Sequence, residues 1–449
     1  MNVIGVINLI VIAIFAMSVA RFYNRHTEYF FAMLIIIVYW TQLLVSSAYI
    51  ETGVYLKDIG KTSYATGVTI RLFLMIEFML CLISYWARKH PKIVIENPKE
   101  GLYTYNTFKR VECALFLLYA YRLLDVIVSG NVLTNSNVNR FNYFSEFSKL
   151  PFAQIIDYFS YPCLWMLGYI LLLGEKKRQK AFPIAIFLMN LLSVFLRGVE
   201  FGGFLQCTLY FLGPLLLSMA KRRKLIKLRY VAVAAILLVV MLIPKYNHFS
   251  EAIENGHADT SYGLTTAYDF LMYRMLAQEA DLTWEIDRQV WIDGDIDPER
   301  AFDVAKEVIG IPTAVNSTQY LMNRGCSSSA LTIYSYSTAT VTGGYPILWA
   351  AIFGYFFAIP FLIVDSYLLF LVIRCICEGM EKQRLFLILA GGYLVCQCYT
   401  IVISANFSAI GNTIPHIFIV LLLIRIRKLF VIIMFGVMFV ELKYADAPS

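Results

Sequence analysis

Runs of about 17–25 apolar residues recur along this chain, each long enough to cross roughly 30 Å of hydrocarbon. A soluble globule cannot hide them. Hydrophobic residues make up 59% of the chain and charged residues 15%, against roughly 25% charged residues in a typical soluble domain. The expected fold class is an all-α polytopic integral membrane protein. Spans are predicted near 2–20, 29–50, 65–86, 110–129, 152–174, 181–197, 203–220, 230–246, 345–373, 385–404 and 409–424, with a short twelfth at 429–441. That gives eleven or twelve transmembrane helices in three parts. An N-terminal bundle of about eight helices covers 1–246, one large loop covers 247–344, and three or four helices cover 345–449.

The basic residues orient the spans, because cytoplasmic loops collect Lys and Arg. Alternate loops hold 24 of the 38 basic residues and the opposite loops hold 11. The first set is placed in the cytoplasm and the large loop outside it. The first run, Asn2 to Ala20, has no cation before it, and Arg21 and Arg25 follow it. An uncleaved first span with an extracytoplasmic N-terminus is expected. Cys375–Cys377 and Cys396–Cys398 lie in apolar segments with no histidine close by in sequence, so no metal or disulfide framework is expected.

The large loop carries fourteen acids against five bases, which argues against a nucleic-acid surface. Residues 265–291 read as one helix capped by Thr265 or Thr266. On it Arg274, Gln278, Asp281, Glu285 and Arg288 follow helical spacing and form one polar stripe, fit to roof a wet cavity or to face solvent. Residues 297–310 read as a second helix, with Asp297 as cap, Pro298 in the first turn and Gly310 as stop. Arg300 on it reads as solvated surface. The segment "NRGCSSSALTIYSYSTATVTGGYP" (323–346) is rich in hydroxyls and tyrosine, which suits sugar stacking and hydrogen bonding as well as an ordinary polar loop. No nucleotide-binding loop, HExxH or metal-spaced histidine set occurs. The energy for any chemistry outside the cytoplasm must then come from an activated substrate.

Charged residues inside hydrocarbon are functional candidates by default. Here they are Arg71, Glu77, Glu112, Arg122, Asp125, Asp157, Arg197 and Glu200. Arg122 and Asp125 are spaced to neutralise each other on one helix, and Arg71 is near enough to a span end to snorkel. In "FLRGVEFGGFL" (195–205), Arg197 falls in a tight turn before Gly202–Gly203 and the next helix N-terminus. An arginine at a helix N-terminus is a phosphate-binding arrangement; the alternative is an interfacial arginine bonding lipid headgroups or Glu200. Arg140 in "NVNRFNYF", Arg274 and Arg324 are the further arginines of the outer face.

These features resemble the Wzy-type O-antigen polymerases, which join oligosaccharide repeat units at bacterial envelopes. The resemblance spans most of the chain: many spans, short early loops and one large outer loop before the last few. Locally it rests on "NVNRFNYF", on "LRGVEFGGFLQCTLYFLGPLLLSMAKRRK", and on "AYDFLMYRMLAQEAD" followed by "NRGCSSSALTIYSYSTATVTGGYPILWAAIFGYF". It implies a GT-C-like fold in the bacterial inner membrane, with the N-terminus and large loop periplasmic. It implies transfer of a growing polysaccharide from undecaprenyl diphosphate to the non-reducing end of one lipid-linked repeat unit, with no cofactor or metal. Partners would be the lipid-linked oligosaccharide, the bilayer, and a chain-length regulator and a flippase of the same pathway. Arg140, Arg197, Arg274 and Arg324 are the candidates for binding diphosphate, Tyr273, Tyr334 and Tyr336 for sugar, and Glu279, Asp281 and His248 for the base. An O-antigen ligase and a lipid-linked oligosaccharide flippase are the rival readings.

Overall fold

The computed structural model describes residues 3–90, 93, 105–135, 138, 142–199, 201–220, 250, 266–335, 343 and 345–411. The spans predicted at 230–246 and 429–441, and nearly all of that at 409–424, lie outside them. Among the described residues the fold is that of an all-α membrane protein. Helices α1 (Val3–Arg25), α2 (Thr27–Ala32), α3 (Leu34–Ile50), α4 (Val68–Lys89), α5 (Tyr105–Ser129), α6 (Ala153–Leu173), α7 (Lys177–Leu196) and α8 (Phe201–Ala220) come first. A short hairpin, β1 (Tyr55–Leu56) and β2 (Lys61–Thr62), joins α3 to α4. Then follow α9 (Ala267–Met272), α10 (Asp281–Arg288), α11 (Arg300–Val308), α12 (Ser317–Gly325) and α13 (Ser328–Ser335). The last are α14 (Ile347–Phe357), α15 (Ile359–Glu381) and α16 (Leu385–Ser404). Six of these, α1, α4, α6, α7, α15 and α16, are long and apolar enough to cross a membrane.

The core is built from α6 packed against α8 and α16, α15 against α16 and α4, and α5 against α6 and α7. Its aromatic filling includes Trp40, Trp165, Tyr119 and Tyr169, all buried. One charge stands at the α3–α4 corner. Glu51 accepts hydrogen bonds from the Thr66 and Val68 amides (3.0 and 3.1 Å), Thr69 Oγ1 (2.6 Å) and Asn8 Nδ2 (2.8 Å), and from the Gly67 amide. The carboxylate thus fills the donor-rich N-terminus of α4 and ties α1, α3 and α4 together.

Two predicted elements are divided. The span read at 345–373 is two helices, because Gly354 takes φ +75 and breaks α14 before Pro360 opens α15. The helix read over 265–291 is also broken. Thr266 caps it as expected, exchanging hydrogen bonds with Asp269 (amide to side chain, 3.1 Å each way). After α9 the chain widens into a π-helical turn over Tyr273–Ala277, and Ala280 leaves helical geometry before α10 begins. The second loop helix stops where predicted. Gly310 takes φ +81 and the Ile311 amide bonds back to the Lys306 carbonyl at 2.8 Å, a glycine-terminated helix end.

Candidate functional site

Among the described residues, two clusters of buried charge bear on the predicted site residues. The first lies among α5, α6 and α7. Asp157 on α6 pairs with Arg197 Nη1 at 2.7 Å and with Arg122 Nη2. Arg122 also donates to Asn190 on α7, and its guanidinium lies 5.4 Å from the Tyr161 ring. Arg197, the residue that ends α7, is 2% exposed. Its guanidinium sits 5.9 Å from the Tyr143 ring and 5.3 Å from that of Phe144. Among the described residues, Arg197 Nη2, Arg122 Nε and Asn190 Nδ2 have no hydrogen-bond partner. Two buried guanidinium groups therefore share one carboxylate and, among the described residues, keep donors without a partner.

Asp125 does not neutralise Arg122, as their spacing had promised. It accepts instead from Tyr143 Oη (2.8 Å), Ser129 Oγ (2.9 Å), Ser148 Oγ (3.1 Å) and the Leu150 amide (3.3 Å). The connection between α5 and α6 closes over it, so Arg122 turns to the neighbouring helices.

The second cluster centres on α10, whose Asp281, Glu285 and Asp287 are all buried. Each acid has its own partners. Asp281 accepts from Tyr273 Oη and from the Leu282 amide, both at 2.6 Å. Burial, with Asp58 beside it, pushes the Asp281 carboxyl well above the usual carboxylate range. Glu285 accepts from Lys61 Nζ (2.8 Å), Gln289 Nε2 (2.9 Å) and a forked Arg288 (3.0 Å for both contacts). Burial opposes its charge, but the bonds from Arg288, Lys61 and Gln289 hold it below that range. Asp287 takes a forked contact from Arg71 on α4, with Nε at 2.8 Å, and a bond from Tyr355 Oη. Arg71 is thus a docking partner of the loop rather than a snorkelling side chain. Trp284 Nε1 adds a bond to the Tyr64 carbonyl at 3.1 Å. The polar stripe from Asp281 onward is turned against α3, α4 and α14 rather than toward water.

The candidate residues separate accordingly. Glu279, at the turn between α9 and α10, is half-buried. Asp281 and Tyr273 are closed in, the Tyr273 hydroxyl also accepting from the Asp58 amide at 3.3 Å. Arg274 is half-buried and donates to Gln278 at 3.1 Å. Arg324 spends its five N–H groups inside the protein: on Gln289 Oε1 (2.8 Å), Tyr320 Oη (2.9 Å), the Ala351 carbonyl (3.2 Å), Asp295 Oδ2 (3.0 Å) and the Asp295 carbonyl. Tyr334 lies in α13; Arg140, His248, Glu200 and Tyr336 lie outside the described residues. Arg300, read as solvated, is only 9% exposed, bonded to Asp303 at 2.6 Å and 5.0 Å from the Tyr320 ring.

Sequence reasoning passed over Asn190, Asp287 and Asp365. Asp365 accepts from Trp349 Nε1 (2.6 Å) and Tyr345 Oη (3.1 Å) at the wall of an apolar cavity of about 220 Å³. A lone polar residue inside an apolar run was the available signal for Asn190 and Asp365. No protein-family model matches the chain, and neither a curated protein nor a solved structure matches it.

Proposed function

We propose that this chain polymerises oligosaccharide repeat units carried on undecaprenyl diphosphate, as its resemblance to the Wzy-type O-antigen polymerases implies. In this reading eleven or twelve spans cross the bacterial inner membrane, and the loop holding α9–α13 lies on the periplasmic side. The observation that supports it best is the buried arginine pair that shares Asp157 and, among the described residues, keeps N–H groups without a partner. The donor's sugar–oxygen bond to diphosphate breaks, and the new bond forms to the acceptor hydroxyl oxygen. The leaving diphosphate keeps the electron pair, and Arg122 and Arg197 stabilise its charge as Asp157 yields its place. Glu279, half-buried where Asp281 is closed in, takes the proton of the acceptor hydroxyl. The closed-in Asp281 holds the loop in position.

The test is a reaction of the purified protein with lipid-linked repeat units, read as a ladder of products. Glu279→Gln should slow the ladder by about 100-fold or more, while Asp281→Asn should leave it intact. Wild-type ladders from both Glu279→Gln and Arg197→Ala would sink the mechanism. Transport of the lipid-linked unit with no ladder would make the protein a flippase. Transfer only onto a lipid A core acceptor would make it a ligase.

A further inference from the structure

The stretch that leaves α10, "VWIDGDID" (290–297), alternates apolar and acidic residues, and the structure sorts them. Asp293 is tied back to Arg288 Nη1 at 2.9 Å and Asp295 to Arg324 Nη2 at 3.0 Å. Trp291, Ile292 and Ile296 are left facing outward, at 58%, 52% and 45% exposure. This edge is fixed to the helical bundle. Arg71 on α4 lies over the Trp291 ring at 4.6 Å, Tyr355 packs edge-on against it at 5.9 Å, and the Asp297 amide bonds the Ala351 carbonyl at 3.0 Å. Just beyond, Phe356 and Phe357 are exposed at 75% and 66% where α14 gives way to α15. From them an apolar face continues down α15, a membrane-spanning helix, through the exposed Ile359, Ile363 and Val364.

We propose that Trp291, Ile292, Ile296, Phe356 and Phe357 form one rim that is seated in the bilayer interface. The loop would then rest on lipid at this edge rather than stand clear in water. Continuity decides the partner: a surface that runs unbroken into the lipid-facing side of a span meets the same lipid. The chemistry agrees, since a tryptophan and phenylalanines at a span end sit at headgroup level with the apolar body buried and polar groups wet. Asp293 and Asp295 stay about half exposed, but their pairing with Arg288 and Arg324 offsets part of the repulsion that two free acids would bring to an anionic surface.

The test uses the full-length protein reconstituted in phosphatidylcholine vesicles. Emission from Trp291 is obtained as wild type minus Trp291→Phe. It should fall by more than half when the lipid is brominated near the headgroup end of its acyl chains, and change little with acrylamide in the water. Ile292→Trp gives an independent signal as added emission and should behave the same way, should Trp291→Phe fail to insert. Emission that follows acrylamide and ignores bromine would place the rim in water. Emission that ignores both would mean that protein, not lipid, covers it. Either result overturns the proposal.

Discussion

The bundle cluster and the loop cluster hold buried charge in opposite ways. Around Asp157, among the described residues, two arginines share one acid, and three of the surrounding N–H-bearing atoms have no partner. Around α10 every acid meets dedicated donors: Lys61, Arg288 and Gln289 for Glu285, Arg71 and Tyr355 for Asp287, Tyr273 for Asp281. A satisfied buried network holds structure, and an incompletely satisfied one keeps capacity for something else. The loop charges are accordingly expected to carry stability and the bundle charges to carry chemistry.

The largest effect should come from breaking the loop's pairing. Asp287→Ala leaves Arg71 without its carboxylate, and removing one partner of a buried pair costs about 3–5 kcal/mol. Hydrogen exchange of the α10 amides should rise strongly, with insertion of the spans unchanged. The double variant Arg71→Met, Asp287→Leu should recover most of the protection, because no charge is left unpaired. Unchanged exchange in Asp287→Ala would erase the contrast between the two regions.

The bundle should respond in the other way. Arg197→Ala leaves Arg122 and Asp157 as a one-to-one pair, so the protein is expected to stay inserted and folded. Loss of one charged contact to a developing phosphate charge costs about 2–4 kcal/mol, or roughly 30- to 1,000-fold in rate. Arg197→Lys should not restore the rate fully, because an ammonium cannot make the forked contact. A ladder assay beside a membrane immunoblot reads both quantities. Loss of the protein itself would make Arg197 structural, as the loop charges are.

A smaller effect sharpens the contrast within the loop. Arg300 is buried against Asp303 and Tyr320, whereas Arg274 is half-buried beside Gln278. Arg300→Ala should therefore cost about 1–3 kcal/mol of loop stability, and Arg274→Ala well under that. Thermal unfolding followed by protease cleavage at 293–299 measures the difference. Equal shifts would mean that burial of Arg300 carries no stability.

Much of the scaffold was legible because apolar length is a one-dimensional signal. The runs that became α1, α4, α6, α7 and α16 are bounded by charge and turn residues. Even α5, which carries Arg122 and Asp125, was found from its remaining apolar length. The break at Gly354 was not legible, since "ILWAAIFGYFFAIPFLIV" stays apolar on both sides of it. Partners were the least legible part. Local spacing paired Arg122 with Asp125, while the true partner, Asp157, is on another helix. In the same way Arg71 found Asp287 across 216 residues, a distance at which periodicity carries no information.

The last prediction concerns pH and tests whether Asp281 belongs to the structural set. Burial, reinforced by the charge of Asp58, raises the folded Asp281 above its unfolded value of about 3.9. Its contribution to loop docking is therefore fully present below that pH. It is lost as pH rises through the folded value, because the unfolded loop releases the proton first. Glu285 works in the opposite sense. It is held below its usual range, against burial, by Arg288, Lys61 and Gln289, so its contribution is present above about pH 4.3 and is lost as pH falls. Docking should weaken on both sides of an intermediate pH, each limb owned by one residue. Asp281→Asn keeps the neutral shape and removes the proton, so it should abolish the alkaline limb and leave the acid one. Glu285→Gln should blunt the acid limb while weakening docking at every pH. Hydrogen exchange of the α10 amides from pH 4 to 9, corrected for intrinsic rates, separates the two limbs. An Asp281→Asn profile that tracks wild type on the alkaline side would show that Asp281 is already ionised there and does not anchor the loop as a neutral group.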